Sequence, residues 1–391
     1  MADRILTTHV GSLPRPERVV TQLFAQDSGL NYDAAQFDAV MQSEVGDVVA
    51  RQVQAQVDVV SDGEMSKISY ATYIRHRLTG FELGEMPRAV PLDLDDFPEF
   101  KERLAKLGAT PKYHRPICTG PIAVKDLSAL HQDIANLKAA CAKAAQPGQA
   151  PVRGFMNSAS PGVIAVFQPN QHYPSREQYL QALADAMASE YEAIVAAGLD
   201  LQIDAPDLAM GRHIQFRDVD DAEFLRNARL QVEALNHALR KVPAERVRMH
   251  VCWGNYEGPH HRDIGMDKII DVVLSAKPAT VLFEGANPRH AHEWEVWAKA
   301  GREKRIPEHK ILAPGVLDTV NNFIEHPRLV AQRLLTYANI VGRDRVMAAT
   351  DCGFGTFAGF GAIHPPICYA KLASMAEGAR MASAELWNTT P

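Results

Sequence analysis

Apolar residues recur along this chain with two periods, and the two alternate. Residues 33–56 carry Phe37, Val40, Met41, Val45, Val48, Val49 and Val53, an apolar stripe at helical spacing. The next segment, "DVVSDGE" (58–64), reads as a strand that ends in a glycine turn. Residues 175–198 again read as a helix. Ser175 and Gln178 form a capping-box pair at its start, Gly198 closes it, and Leu180, Leu183, Met187, Tyr191, Ile194 and Val195 make its stripe. A strand over 199–206 follows, "LDLQIDAP". The same rhythm predicts strands near 4–9, 152–157, 247–252, 279–284, 310–315 and 345–351, and helices near 221–241, 264–275, 290–301, 325–340 and 366–386.

Strand-helix alternation implies parallel strands, and about eight such units predict an α/β fold of the (β/α)8 TIM-barrel type. At 391 residues the chain is long enough for one large barrel, so residues 1–391 are expected to form a single catalytic domain. The stretch 79–116 breaks the rhythm. It is rich in proline and charge ("GEMPRAVPLDLDDFPEF") and reads as an insertion after the second strand, a hairpin with a short helix that closes near "RPICTGP". It is also the expected contact surface if the chain forms a homo-oligomer.

Composition narrows the function classes. Hydrophobic residues make up 46% and charged residues 23%, as in a globular protein with a real core. The formal charge is −6 and no strongly basic run occurs, so no nucleic-acid partner is expected. No apolar run reaches the ~20 residues of a membrane helix. The opening "MADRILTTHVGSLPRP" lacks the apolar core of a signal peptide. Five cysteines (118, 141, 252, 352 and 368) in such a chain argue for reduced thiols or metal ligands and for a cytoplasmic protein.

Barrel enzymes keep their active sites at the C-terminal ends of the strands. The predicted strand ends bring Ser12, Asp62, Glu64, Asp204, His250, Cys252, Glu284, Asp318, Asp351 and Cys352 to one rim. His250 and Cys252 share a parity and can both point into the mouth. A nitrogen, two thiolates and a carboxylate make a tetrahedral Zn2+ site, so His250, Cys252, Glu284 and Cys352 are candidate ligands. Arg248 shares that parity as well, which requires either a carboxylate partner lower in the barrel or a bulge in the strand. Cys118, Cys141 and Cys368 read as small buried hydrophobes, and Asp62 and Asp351 as turn residues. Among the histidines outside the metal set, His364 in "GAIHPP" is the one expected to line the pocket. His9, His260, His261, His290 and His292 read as surface imidazoles.

The motifs "TTHVGSLPR" (7–15), "DVVSDGE" (58–64), "LQIDAP" (201–206), "MHVCWGNY" (249–256), "LFEGAN" (282–287), "APGVLD" (313–318) and "TDCGFGT" (350–356) are spread over the whole chain. In that order and spacing they resemble the catalytic barrel of the cobalamin-independent methionine synthase family. The resemblance implies a zinc-dependent thiol alkyltransferase. Its zinc would be held by His250, Cys252, Glu284 and Cys352, and the substrate thiolate bound there would take a methyl or other alkyl group. Homocysteine is the default acceptor. Its amino-acid portion would be held by Ser12, Glu64 and Asp204, with the two carboxylates as catalytic and binding groups.

Departures from the family pattern fall on the methyl-donor side. Residues 157–173 contain no tryptophan where the family has one against the pteridine. Thr319 and Val320 stand where a histidine follows "GVxD", and Ala205 replaces a glutamate. The single-barrel relatives are closer in this respect. They include enzymes whose donor is a methylcorrinoid and epoxyalkane:coenzyme M transferase, so coenzyme M with an epoxide is an alternative substrate pair. Arg15, Lys67, Arg75 and Arg77 would be the cations for its sulfonate, against the plainer reading of a solvated helix face for Lys67 to Arg77. A metal-free decarboxylase or ligand-binding barrel related to uroporphyrinogen decarboxylase is the remaining alternative.

Overall fold

The structure, a computed structural model, describes residues 3–30, 32–84, 90–106, 115–145 and 152–388. Its strands are β1 (Leu6–Thr7), β2 (Val59–Val60), β3 (Phe81–Gly84), β4 (Arg115–Cys118), β5 (Arg153–Ala159), β6 (Asp200–Asp204), β7 (Val247–Val251), β8 (Thr280–Phe283), β9 (Ile311–Pro314) and β10 (Met347–Ala348). Strands β2, β5, β6, β7, β8 and β9 pair in that order, all parallel. The pairing of β1 with β10 is parallel too. Parallel bridges Leu312–Val346 and Gly315–Ala349 join β9 to β10. On the other side, Asp58 N–H donates to the Thr7 carbonyl at 3.2 Å and Leu13 N–H to the Gly63 carbonyl at 3.1 Å, joining β1 to β2. The ring of eight closes in sequence order, as the alternation predicted.

Each βα crossover covers the barrel with a helix. The long ones are α1 (Glu17–Ser28), α2 (Ala34–Gln54), α5 (Ser128–Ala144), α7 (Arg176–Ala196), α9 (Asp221–Ala238), α10 (Met266–Ser275), α11 (Trp294–Arg302), α12 (Pro327–Val341) and α13 (Pro365–Trp387), with α6 (Pro161–Phe167) short. Starts follow the sequence signals. Ser175 Oγ accepts the Gln178 N–H of α7, and Asp33 accepts the Ala35 and Gln36 N–H groups of α2. Gly198 ends α7 with φ +89°. The helix stripes pack on the outside of the strands in one large core, in which Leu183, Met187, Tyr191 and Ile194 are all but fully buried. Among the described residues no helix is long and apolar enough to cross a membrane.

Inside the barrel the side chains form layers. Register pairs Asp204 with His250, His250 with Leu282 and Leu282 with Ala313, so these share the upper, inward layer. One layer down, Gln202, Arg248 and Thr280 are paired. Arg248 is buried there, and neither expected solution applies. Its guanidinium donates to Thr8 Oγ1 and to the His9 carbonyl, both at 2.7 Å, and lies over the Phe155 ring at 3.9 Å. The strand runs in unbroken register through it. Neutral acceptors and an aromatic face do what a carboxylate was expected to do.

In the described part of the 79–116 stretch, β3 pairs antiparallel with β4, Phe81 opposite Cys118. Two short helices, α3 (Leu92–Asp95) and α4 (Pro98–Lys106), lie between them. Residues 85–89 and 107–114 lie outside the described residues. Residues Asp93 and Asp96 contact the loop after β7 at the barrel mouth. Asp93 Oδ2 accepts the Tyr256 hydroxyl at 2.6 Å and the His260 N–H at 2.8 Å, and Asp96 takes Arg262 and His261. A fourth short helix, α8 (Gly211–Ile214), follows β6 beneath it.

Two glycines allow the loops at the mouth to touch. Gly11 has φ +143°, and the Asn157 amide occupies the space a Cβ would need. At Gly355 a Cβ would lie 2.5 Å from the Leu13 carbonyl oxygen. Gly355→Ala should therefore force the loop after β10 away from the loop after β1, lowering stability by about 1–3 kcal/mol in urea unfolding. An unchanged midpoint would show that the two loops are not held together there.

Candidate metal centre and acceptor site

The loops after β7, β8 and β10 converge at the mouth. Ligand atoms of His250, Cys252 and Cys352 all lie within 4.8 Å of one another, and all three residues are buried. Glu284 joins at the edge: its Oε1 lies 3.6 Å from Cys352 Sγ. Oε1 also accepts the Trp253 N–H at 2.9 Å, and Oε2 accepts Asn287 Nδ2 at 2.6 Å. The four residues expected from the strand ends are thus brought to one place.

A residue read as a turn former holds them there. Asp351 Oδ1 accepts the N–H groups of Gly285 and Ala286, each at 2.8 Å. Its Oδ2 accepts the Asn287 N–H at 2.8 Å and Asn287 Nδ2 at 3.0 Å. Asp351 precedes Cys352, and the loop it grips follows Glu284, so one carboxylate fixes the spacing of two candidate ligands. Burial pushes its pKa up to about 6 in spite of those N–H groups. Asn255 adds a second tie, donating to the Gly353 carbonyl and to Thr356 Oγ1, both at 2.7 Å. Neither Asp351 nor Asn287 was singled out as a site residue. The available signal was adjacency: one stands beside Cys352 and the other three residues after Glu284.

The charges describe a cluster short of positive charge. The Cys352 thiol and then His250 hold the Cys252 thiol well below its ordinary value. Burial, then the Cys252 sulfur, pushes Cys352 well above. Burial raises Glu284 to about 8, partly offset by His290. Burial opposes the imidazolium of His250, but the Cys252 sulfur holds it above its usual value. His250 Nδ1 is buried with no hydrogen-bond partner. Two sulfurs, a carboxylate and an imidazole with a free nitrogen are the donor set of a tetrahedral zinc site. Such a site needs ligand atoms about 3.3–3.8 Å apart, within reach of the observed cluster by side-chain rotation. The residues present fit the metal.

Beside this cluster lie two further buried acids. Asp204 is the register partner of His250. Its Oδ2 accepts Asn157 Nδ2 at 3.0 Å and its Oδ1 accepts Gln202 Nε2 at 3.2 Å. Glu64 is 2% exposed and has φ +57°, a strained backbone for a glutamate. The strain is held from outside: Arg15 donates twice to the Glu64 carbonyl, at 2.8 and 3.1 Å, and once to the Gly355 carbonyl. Asp62 Oδ1 accepts the Glu64 N–H at 2.9 Å in an Asx turn, as read from the sequence. The Glu64 Oε2 is buried without a hydrogen bond, with Arg15 Nη2 3.9 Å away. Burial and then Asp204 push Glu64 up to about 8, and burial raises Asp204 against the pull of His250. Ser12 is buried against the loop that follows Cys352, its Oγ 3.4 Å from the Gly355 N.

His364 is exposed at the N-terminus of α13, its N–H on Asn322 Oδ1 at 2.9 Å. Other expectations meet a different structure. His9 and His290 are buried and His260 is partly so, whereas surface positions were expected. His9 bonds Gln52 at 2.7 Å inside the barrel wall. The segment from Lys67 to Arg77 is not a solvated helix face, since Lys67 and Arg77 are buried. Lys67 donates to the Asn157 carbonyl, Arg77 to Glu190 and Asp133, and Arg75 to Asp27. Cys118, Cys141 and Cys368 are buried free thiols.

A closed eight-stranded α/β barrel with its polar cluster at the C-terminal mouth defines the class of protein. Comparison with known proteins agrees. Residues 5–88 match the family described as cobalamin-independent synthase, catalytic domain. A methionine synthase of Saccharolobus solfataricus is 24% identical over 385 residues, which cover 97% of this chain and 95% of that protein. One from Sulfurisphaera tokodaii is 23% identical over 384 residues, covering 98% and 94%. In fold, the chain resembles the B12-independent methionine synthase of Shewanella sp. W3-18-1 solved with selenomethionine (TM-score 0.72, 19% identity, 98% of this chain and 99% of that one). It also resembles the Listeria monocytogenes structure described as a vitamin-B12-independent methionine synthase (TM-score 0.65, 15% identity, 97% and 98%). In sequence over nearly its whole length, and in fold, the chain is similar to the cobalamin-independent methionine synthases.

The strained, buried Glu64 carries a stability prediction. Its folded pKa of about 8 lies above the ordinary 4.5, so stability is fully present below pH ~4.5 and is lost as pH rises through about 8. Glu64→Gln removes that loss. Its melting temperature should exceed the parent's by a few degrees at pH ~8.5, with the difference shrinking toward pH ~5. A variant less stable than the parent at pH ~8.5 would contradict the uncompensated charge.

Proposed function

We propose that the protein is a zinc-dependent S-methyltransferase that methylates homocysteine to methionine. The observation that supports it most is the juxtaposition at one barrel mouth of His250, Cys252 and Cys352, within 4.8 Å, with the buried carboxylates of Glu64 and Asp204. His250, Cys252 and Cys352 would hold the metal, with Glu284 as the exchangeable fourth ligand. When bound, zinc would supply the Lewis acidity that keeps a substrate thiol deprotonated at neutral pH.

The chain's own residues do the rest. Glu64 Oε2, buried and without a hydrogen bond, and Asp204 would offer two acceptors to the ammonium group of an amino-acid substrate. Arg15 and Asp62 hold Glu64 in place through its backbone, which leaves the side chain free for the ligand. Ser12 would take the substrate carboxylate. Burial of all these groups excludes water and strengthens each contact. A ligand ammonium also supplies the positive charge the pair lacks, so acceptor binding should release a proton from Glu64.

The sulfonate alternative loses its cations. Arg15, Lys67, Arg75 and Arg77 already donate to Glu64 and Gly355, to Asn157, to Asp27, and to Glu190 and Asp133. On the donor side Thr319 bonds Asn255 Oδ1 at 3.1 Å where the family has a histidine. A methylcorrinoid is therefore the first methyl donor to try, with methylfolate second.

Three measurements test the reading. Cys352→Ser and Cys252→Ala should each lower the zinc content by about one equivalent per chain relative to the parent. Glu64→Gln should keep its zinc, raise the homocysteine KM about tenfold or more, and abolish the proton release on binding seen by calorimetry in two buffers. Asp351→Asn should weaken zinc about 10–100-fold by loosening the Glu284 loop. Loss of zinc from Glu64→Gln would overturn the division of roles. Homocysteine left unconsumed with every methyl donor would overturn the acceptor.

A further inference from the structure

A second cluster of ligand-type side chains lies behind Trp253. It is built from the loop after β7 and the loop after β8. Ligand atoms of His260, Asp263 and His290 are all within 4.8 Å of one another. Asp263 Oδ2 faces His260 Nδ1 and His290 Nε2, each at 2.9 Å. Its Oδ1 faces His213 Nδ1 at 3.2 Å. The side chains of His213, Asp263 and His290 are 1%, 1% and 2% exposed.

The outer nitrogen of each ring also meets an acceptor. His260 Nε2 lies 3.0 Å from the Tyr256 carbonyl, His290 Nδ1 3.1 Å from Glu293 Oε2, and His213 Nε2 3.0 Å from the Trp253 carbonyl. Six ring nitrogens therefore face oxygens that cannot donate. A neutral imidazole carries one N–H and can serve only one such oxygen. Three neutral rings leave three nitrogen lone pairs aimed at the Asp263 carboxylate, and three imidazoliums around one buried carboxylate would be a costly excess of positive charge. The conflict is visible in the structure: His213 Nδ1 and Asp263 Oδ1 are buried without a hydrogen-bond partner.

A cation between the inner atoms of His260, Asp263 and His290 removes the conflict at those two rings and leaves His213 beside Asp263 Oδ1. The outer nitrogens then keep their protons and donate them outward, to a carbonyl from His260 and to a carboxylate from His290. This is how metal-bound histidines are oriented in general. Glu293 is itself fixed by the Met266 N–H at 2.8 Å, and the His290 ring stacks on Trp253 at 3.9 Å. We propose that His260, Asp263 and His290 form a second divalent-cation site, distinct from the His250–Cys252–Cys352 centre. Two imidazoles and one carboxylate suit zinc or a similar borderline ion. Its consequence is positional. It pins the loop that carries Tyr256 and His260 to the loop that carries His290, and so fixes Trp253, whose N–H holds Glu284. Asp93 of the insertion is fastened to the same loop. The rival arrangement is a metal-free pair of imidazoliums. Burial works against their charge, but the hydrogen bond to Asp263 would hold His260 at about 9 and His290 at about 10.

Cobalt(II) separates the two arrangements, because thiolate ligation produces a charge-transfer band that nitrogen and oxygen ligands do not. The metal-stripped Cys252→Ala/Cys352→Ala protein should bind about one cobalt per chain with a Kd below ~10 μM, show d–d absorption without the thiolate band, and lose that binding when Asp263→Asn is added. In the chain with both cysteines intact, Asp263→Asn should lower cobalt content by about one equivalent and leave the thiolate band unchanged. That second arm decides the matter if the double-cysteine variant does not fold. Unchanged cobalt content on Asp263→Asn, or no binding by the folded double-cysteine variant, would overturn the proposal in favour of the imidazolium pair. Failure at the thiolate centre reads out separately, as loss of the charge-transfer band.

Discussion

The barrel mouth depends on one buried carboxylate. Asp351 accepts four hydrogen bonds from residues 285–287 and so ties the end of β10 to the end of β8. Cys352 and Glu284 are the immediate neighbours of the two ends it joins. A carboxylate can do this because its two oxygens offer about four lone-pair sites, enough to satisfy a whole turn of backbone N–H groups at once. An amide or hydroxyl in its place could not. The loop glycines serve the same closeness, since Gly355 lets the β10 loop lie against the carbonyl of Leu13, and Ser12 is thereby brought beside the cysteine loop.

Around that knot the fold concentrates negative charge where water is scarce. Glu64, Asp204, Glu284 and the Cys252 sulfur are all buried within one region, and the cations nearest to Glu64 and Asp204, Arg15 and Lys67, direct their hydrogen bonds to backbone carbonyls instead of to these carboxylates. Arg15 grips the backbone of Glu64 rather than its carboxylate, which lies 3.9 Å away. Lys67 is turned toward a carbonyl. Such an arrangement costs stability in the free protein and is relieved by cations from outside, a metal at one end and a ligand ammonium at the other. The same logic of unmet positive charge governs the histidine cluster behind Trp253, where too few protons face too many acceptors.

Much of this was readable before any coordinates. The eight strands and their covering helices followed from apolar spacing, because a barrel strand buried on both faces and an amphipathic helix leave different periods. The four candidate ligands were readable because each ends a strand and is a residue type rarely placed there for packing. The environment of the histidines was not. His9, His260 and His290 carry no pattern in the sequence that distinguishes a buried imidazole from a surface one: His9 meets Gln52, 43 residues away, and His290 meets Asp263 from the preceding βα loop, even though His260–Asp263 and His290–Glu293 are only three residues apart. The cations from Lys67 to Arg77 read as solvated for the same reason. Their acceptors are a backbone carbonyl and acids up to 113 residues distant.

What the sequence determined alone is therefore whatever depends on near neighbours: the order of the elements, the caps, the parity that turns His250 and Asp204 inward, and the residue types at each strand end. What only the tertiary structure decided is which charge meets which. Arg248 finds a hydroxyl, a carbonyl and an aromatic face instead of the acid it was expected to need. Asp351 becomes a clamp instead of a turn residue, and His364 stays at the exposed start of a helix. The physical reason is the range of the forces. Periodicity and capping act over a few residues of one segment, whereas the electrostatics of a buried site act through space between segments that only the closed barrel brings together.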